Sequence, residues 1–182
     1  MSSSSLRLFL RCFSTPAWLA KRADRFLFLI AGDGDLRAPL EAQARELGLE
    51  SRVRFLGWRG DLENVYGATD IFVLTSRNEG TPVALIEAMA AGVASVSTDV
   101  GGVRDVVTGP ELGSLVPFGD AGALADAVLA LAEAPGRRSD IGHAGRASVR
   151  ERFHASRLLG DIRTLYWQLL GIGGTISEHR PT

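Results

Sequence analysis

The chain has 182 residues, 46% of them hydrophobic, and a formal net charge of −1. That length suffices for one domain with a packed core, and the near-neutral charge, with no basic stripe at helical spacing, argues against nucleic acid as a partner. A lone cysteine, Cys12, excludes an intrachain disulfide and speaks against a cysteine-based metal site, and no apolar run reaches the length of a membrane span.

Residues 1–23 hold no acid but carry Arg7, Arg11, Lys21 and Arg22 after a serine run. That composition has a trace of a transit peptide. The plainer expectation is an amphipathic helix packing before the first strand. Residues 1–23 are therefore read as a helical flanking segment, 24–170 as the domain and 171–182 as a flexible tail. The continuous apolar run Arg25 to Ala31 predicts a strand buried on both faces. Gly32-Asp33-Gly34-Asp35 ends it, and a helix is expected from Leu36 to Leu47, closed by Gly48. Val53 to Leu56 reads as a second strand, Asp61 to Tyr66 as a short helix and Asp70 to Leu74 as a third strand. A helix over Pro82 to Ala91 then leads to a fourth strand, Ala94 to Ser97. A short helix around Val103 to Val107 and a fifth strand, Ser114 to Val116, follow. The rest reads as three helices: Asp120 to Ala134, broken by Pro135-Gly136, then Arg137 to Phe153 and Ser156 to Leu170. Alternating helices and buried-type strands predict a Rossmann-like α/β fold, a parallel sheet with helices on both faces. In such sheets ligands sit at the C-terminal ends of the strands. The loops at Gly32, at Trp58 and Arg59, at Thr75 to Thr81 and at Asp99 to Gly102 are thus the candidates.

The most informative stretch runs from Asn78 to Gly92. Thr81 is placed to cap a helix and Pro82 to open it, since proline has no N–H to leave unbonded there. Glu79 then lies at the helix mouth. Glu87 lies two turns in, on the face it shares with Val83. Free N–H groups at a helix mouth suit a phosphate, and carboxylates accept hydrogen bonds from sugar hydroxyls. On spacing alone, a solvated loop acid plus one polar helix residue is the stronger reading. An acid within Val-Ala-Leu-Ile-Glu-Ala-Met-Ala-Ala is unexpected, because a buried carboxylate is costly unless paired.

The remaining motifs weigh less. Gly32-Asp33-Gly34-Asp35-Leu36-Arg37 fails as a dinucleotide fingerprint, because Arg37 stands where the third glycine belongs. It is a tight turn that can still wall a ligand cleft. In Gly57-Trp58-Arg59-Gly60, Arg59 can meet phosphate and Trp58 can stack or simply pack. Gly101-Gly102 permits a close backbone approach or serves as a plain turn. The three histidines, His143, His154 and His179, lie far apart. No Ser/His/Asp set, Cys/His pair or Walker loop is present.

Taken in order, Phe28 to Gly34, Val53 to Gly57, Ala68 to Leu74, Glu79 to Gly92, Thr98 to Val103 and Pro117 to Asp120 resemble the C-terminal half of family 4 type retaining glycosyltransferases, over about residues 24–170. The resemblance implies one half of a two-Rossmann GT-B architecture. It implies that Glu79 contacts the donor sugar near the reacting carbon and serves as the catalytic-site acid, and that Glu87 holds the ribose hydroxyls. Gly80, Thr81, Pro82 and Val83 would face the diphosphate and sugar, though Pro82 has no N–H to give. Gly32 would approach the donor, and the loop at Trp58 and Arg59 would meet the base. The donor would be a UDP-, GDP- or ADP-linked sugar, with no metal or other cofactor. Two departures stand out: nothing before Arg25 matches the family's first strand and its Arg/Lys diphosphate loop, and Asp105 sits where Glu is usual. The N-terminal acceptor-binding half would lie outside this chain, which is expected to be inactive alone. The enzyme would be cytoplasmic, in full length peripheral to the membrane. The alternative is a non-catalytic nucleotide-sugar-binding or interaction module lacking the diphosphate clamp. The apolar face of the last helix, through Leu158, Leu159, Ile162, Leu165, Tyr166 and Leu169, would drive homo-association. An epimerase reading lacks an acid/base pair beyond Glu79.

Overall fold

The strands form where short apolar runs end at glycines and polar turns. The computed structural model describes residues 6–11, as backbone, and 26–171. Six strands make up its sheet: β1 (Leu6–Arg11), β2 (Phe26–Ala31), β3 (Val53–Gly57), β4 (Ile71–Leu74), β5 (Ala94–Thr98) and β6 (Ser114–Val116). Every pairing is parallel and the order is β3-β2-β1-β4-β5-β6. The helices are α1 (Arg37–Glu46), α2 (Leu62–Gly67), α3 (Val83–Ala90), α4 (Val103–Val106), α5 (Ala121–Glu133), α6 (Pro135–Phe153) and α7 (Ala155–Leu169). The expected Rossmann-like sheet is present, with its strand order reversing between β1 and β4.

Both faces of the sheet are covered, so its central strands can be apolar throughout. All of β4 is buried, from Ile71 to Leu74. One core gathers Phe26, Phe28, Ile71, Val73 and Val96 under α1 and α5. The other sets Phe72 and Leu74 against Tyr66 of α2, Leu85 and Met89 of α3, and Val103 of α4. Each such large side chain contributes about 1.5–3 kcal/mol on burial. Helix α6 spans the two layers, placing Ile141 in one core and Val149 in the other. Its Gly142 lies so close to the turn after α3 that a Cβ would stand 2.2 Å from the Gly92 carbonyl oxygen.

The structure corrects three expectations. Leu6–Arg11 is a strand and not part of a helix. It runs between β2 and β4, with Leu8 opposite both Phe28 and Ile71. Arg7 and Arg11 sit at the second and last strand positions, and main-chain pairing on both sides outweighs local composition. Second, Pro135 does not separate two helices by a loop. It opens α6 directly after Ala134, where its missing N–H costs nothing. Third, the helix after Glu79 begins one residue later than read: Pro82, with φ −77° and ψ 74°, occupies the N-cap, and the Thr81 side chain caps nothing. Residues 12–25, with Lys21 and Arg22, and the expected tail beyond Gly171 lie outside the described residues.

Candidate functional site

The loop from Thr75 to Pro82 leaves the C-terminal end of β4, one of the two strands at the reversal of strand order. Open parallel sheets form their ligand crevice there. Glu79, Thr81, Pro82, Val83, Ala84 and Glu87 line one cavity of about 320 Å³, with Leu62 and Leu74 as its apolar members. The two glutamates and the start of α3 thus come together as the sequence reading required.

Each glutamate is held by a hydroxyl. Ser76 donates to Glu79 Oε1 at 2.5 Å. Ser76 is itself fixed, because the Thr98 hydroxyl donates to its carbonyl at 2.8 Å. Thr98 ends β5 and is buried, so the Glu79 carboxylate is tied through two side chains to the sheet. The Tyr66 phenol stands 3.0 Å from Glu87 Oε2 and 3.3 Å from the Ala84 carbonyl. Glu87 is exposed, whereas Ala84, Leu85, Ala88 and Met89 are buried. The unexpected acid therefore occupies the solvent side of α3 beside the exposed Val83, and its presence in an apolar sequence incurs no burial cost. Neither Ser76, Thr98 nor Tyr66 was singled out from sequence. Ser76 had a signal, being three residues before Glu79; Tyr66 had none beyond its place on a helix.

The backbone of this loop is clamped from β5's side. The Gly102 amide donates to the Glu79 carbonyl at 2.9 Å. A Cβ at Gly101 would stand 2.0 Å from that oxygen, and one at Gly102 would stand 1.9 Å from the Gly80 carbonyl oxygen. The close approach expected of Gly101-Gly102 is thus to the Glu79-Gly80 backbone. The Val83 amide donates to the Thr81 carbonyl at 2.9 Å, so it is already engaged in the tight turn before α3.

The other expected residues stand beside this cavity. The Gly32 amide donates to the Gly57 carbonyl at 2.8 Å, joining the loops after β2 and β3. Gly32 itself lines a second cavity of about 370 Å³ with Phe55 and Leu36. Trp58 is 80% exposed, its ring lying against Gly60. Arg59 makes a two-pronged pair with Asp61 at 2.7 and 2.6 Å, which orders the turn into α2 next to the cavity residue Leu62. The Arg59 hydrogen bond, aided by one from Asn64, holds the Asp61 carboxyl below its ordinary 3.8. Asp99 pairs with Arg104 in the same two-pronged way, which raises the arginine's pKa further. Among the described residues no cluster of three His, Cys, Asp or Glu side chains forms a cation site, and no helix is long and apolar enough to cross a membrane. Leu158, Leu159, Ile162, Leu165, Tyr166 and Leu169 of α7 are all exposed, and the helix buries no residue.

Comparison with known proteins shows the family and the fold. The sequence model described as glycosyl transferases group 1 matches residues 3–134. The chain belongs to that family. The match takes in the whole of β1, and starts earlier than the resemblance read from about residue 24. The N-acetyl-α-D-glucosaminyl L-malate synthase of Bacillus anthracis is 30% identical over 78% of this chain and 37% of its own length. A UDP-Gal:α-D-GlcNAc-diphosphoundecaprenol α-1,3-galactosyltransferase of Escherichia coli is 35% identical over 52% of this chain and 24% of its own. Among solved structures, sucrose-phosphate synthase of Thermosynechococcus elongatus superposes with a TM-score of 0.83 at 26% identity, over 95% of this chain and 47% of that one. Anabaena HepE in complex with UDP shares the fold, with a TM-score of 0.81 at 24% identity over 91% of this chain and 49% of that one. The chain thus spans less than half the length of these relatives and solved structures.

Proposed function

We propose that the chain is the donor-binding C-terminal half of a retaining glycosyltransferase, which takes a hexosyl group from a nucleotide-diphosphate sugar. The observation that carries this reading is the convergence of Glu79 and Glu87 on one cavity at the start of α3, beside the reversal of strand order. Glu87 takes the ribose hydroxyls through its exposed carboxylate. The diphosphate approaches the positive end of α3 and the loop at Gly80 and Thr81. Glu79 faces the sugar, positions it and stabilises an oxocarbenium-like state through its charge, without covalent attack. Trp58 and the backbone of its loop meet the base; Arg59, engaged by Asp61, orders that loop. UDP sugars are the first donors to try, because a relative's name specifies UDP-Gal and the HepE structure holds UDP.

Calorimetric titration with UDP-, GDP- and ADP-glucose tests the proposal. Binding of one of the three, weakened by Glu87→Ala, is expected; in the enzyme that also holds the acceptor half, Glu79→Ala should chiefly lower turnover. Failure of that enzyme to bind any nucleotide sugar would sink the reading.

A second reading rests on α7, six of whose large apolar side chains are exposed, from Leu158 to Leu169. That face is the surface on which the acceptor half, or a second copy of this chain, would lie. Sedimentation of the 182-residue chain as a clean monomer at high concentration would rule out the second copy.

A further inference from the structure

Glu87 lies on the solvent side of α3, where a glutamate ordinarily samples several rotamers. Its carboxylate is nevertheless held by a group from another helix. Tyr66 comes from α2, is 3% exposed, and lies edge-on to Phe72 of β4 with ring centroids 6.1 Å apart. The ring is thereby anchored in the core while its hydroxyl reaches the cavity wall. One proton serves two acceptors there, Glu87 Oε2 at 3.0 Å and the Ala84 carbonyl at 3.3 Å, and the nearer, charged acceptor is the stronger. The bond takes one carboxylate oxygen and leaves Oε1 for a ligand.

We infer that Tyr66 is a positioning residue: its phenol holds the Glu87 carboxylate in the orientation that accepts the ribose hydroxyls of the donor. This rests on the assignment of Glu87 to the ribose. A buried phenol also needs a partner for its own sake, and the ribose itself separates the two roles. If Tyr66 acts through Glu87, its loss weakens only ligands that possess ribose hydroxyls.

The probes are UDP and 2′,3′-dideoxyuridine diphosphate, titrated into the wild-type protein and into Tyr66→Phe, Glu87→Ala and the double variant. Tyr66→Phe keeps the ring and its packing. It is expected to reduce the preference for UDP over the dideoxy analogue about tenfold, the scale of one hydrogen bond to a charged group. Affinity for the dideoxy analogue should not move, and the double variant should match Glu87→Ala. If Glu87→Ala abolishes the preference but Tyr66→Phe leaves it intact, the positioning role is wrong and the ribose assignment stands. If Glu87→Ala keeps the preference, the ribose assignment itself fails. An equal loss for both ligands in Tyr66→Phe makes Tyr66 a packing residue only. Should that variant not fold, Glu87→Asp draws the carboxylate back from the phenol while keeping its charge; full retention of the preference in that variant overturns the inference.

Discussion

Gly102→Ala is the sharpest test of how this site is held. Gly102 has φ −75°, a value that alanine adopts freely, so the substitution brings no backbone strain of its own. Its neighbour Gly101, at φ 47°, would confound the two effects. The whole perturbation at Gly102 is steric. The new Cβ would lie 1.9 Å from the Gly80 carbonyl oxygen, where real contacts stay above 3.0 Å. One backbone or the other must retreat by more than an ångström, and the Gly80 loop, exposed on its outer side, is the part free to do so. That movement carries Glu79 on one side and Thr81 on the other. A displacement near 1 Å at a reacting group costs about a hundredfold in rate, whereas a steric intrusion of this kind costs about 1–3 kcal/mol of stability. In the proposed enzyme that also holds the acceptor half, the expected result is a variant that still melts cooperatively but transfers sugar about a hundredfold more slowly. Gly67→Ala is the control, since a Cβ there meets nothing within 4 Å. Kinetics and thermal melting of both variants decide the matter. A Gly102→Ala enzyme within a few fold of the parent rate would refute the reasoning, because the carbonyl would then have yielded without moving the glutamate.

Other outcomes follow from the same contacts. Ser76→Ala removes the 2.5 Å hydrogen bond to Glu79 and should lower turnover about tenfold while leaving nucleotide affinity unchanged, as separate rate and binding measurements would show. Asp61 has a depressed pKa, so the pair with Arg59 is fully formed above the ordinary value of 3.8 and is lost only as pH falls through the lower folded value. Trp58 emission, recorded after Trp18 and Trp167 are replaced by Phe, should therefore stay constant down to about that value and change below it, and Asp61→Asn should give the acid signal already at neutral pH. Ser95 has a buried hydroxyl that bonds to nothing among the described residues. Ser95→Ala should raise stability by about 1 kcal/mol, seen as a melting shift of about 2–4 °C; a clear fall in melting temperature would show that the hydroxyl has a partner.

Much of the fold was legible because the sheet is all-parallel and covered on both faces. Buried strands such as Ile71–Leu74 and Ala94–Thr98 read as unbroken apolar or small-residue runs closed by polar turns. Leu6–Arg11 was not legible. Its six residues resemble a strand no more than a helix, and only pairing with both β2 and β4 settles them. The glutamates were legible because their carboxylates and the helix start lie within one short segment, where helical geometry dictates who shares a face. Their supports were not, since Tyr66 reaches Glu87 across 21 residues and Thr98 reaches Ser76 across 22. No local period links positions so far apart.

The sequence by itself thus determined the alternation of strands and helices, the loops that can carry a ligand and the acids that can meet it. Those properties arise from neighbours along the chain, through burial periodicity, proline and glycine stereochemistry and helix geometry. The tertiary structure alone decided that Leu6–Arg11 completes the sheet, that Glu87 faces solvent and not the core, and that Gly101-Gly102 closes against the backbone of Glu79 and Gly80. Each of these depends on which distant segments are pressed together. Steric exclusion and hydrogen-bond pairing across the sheet select those partners, and neither can be read from one segment taken alone.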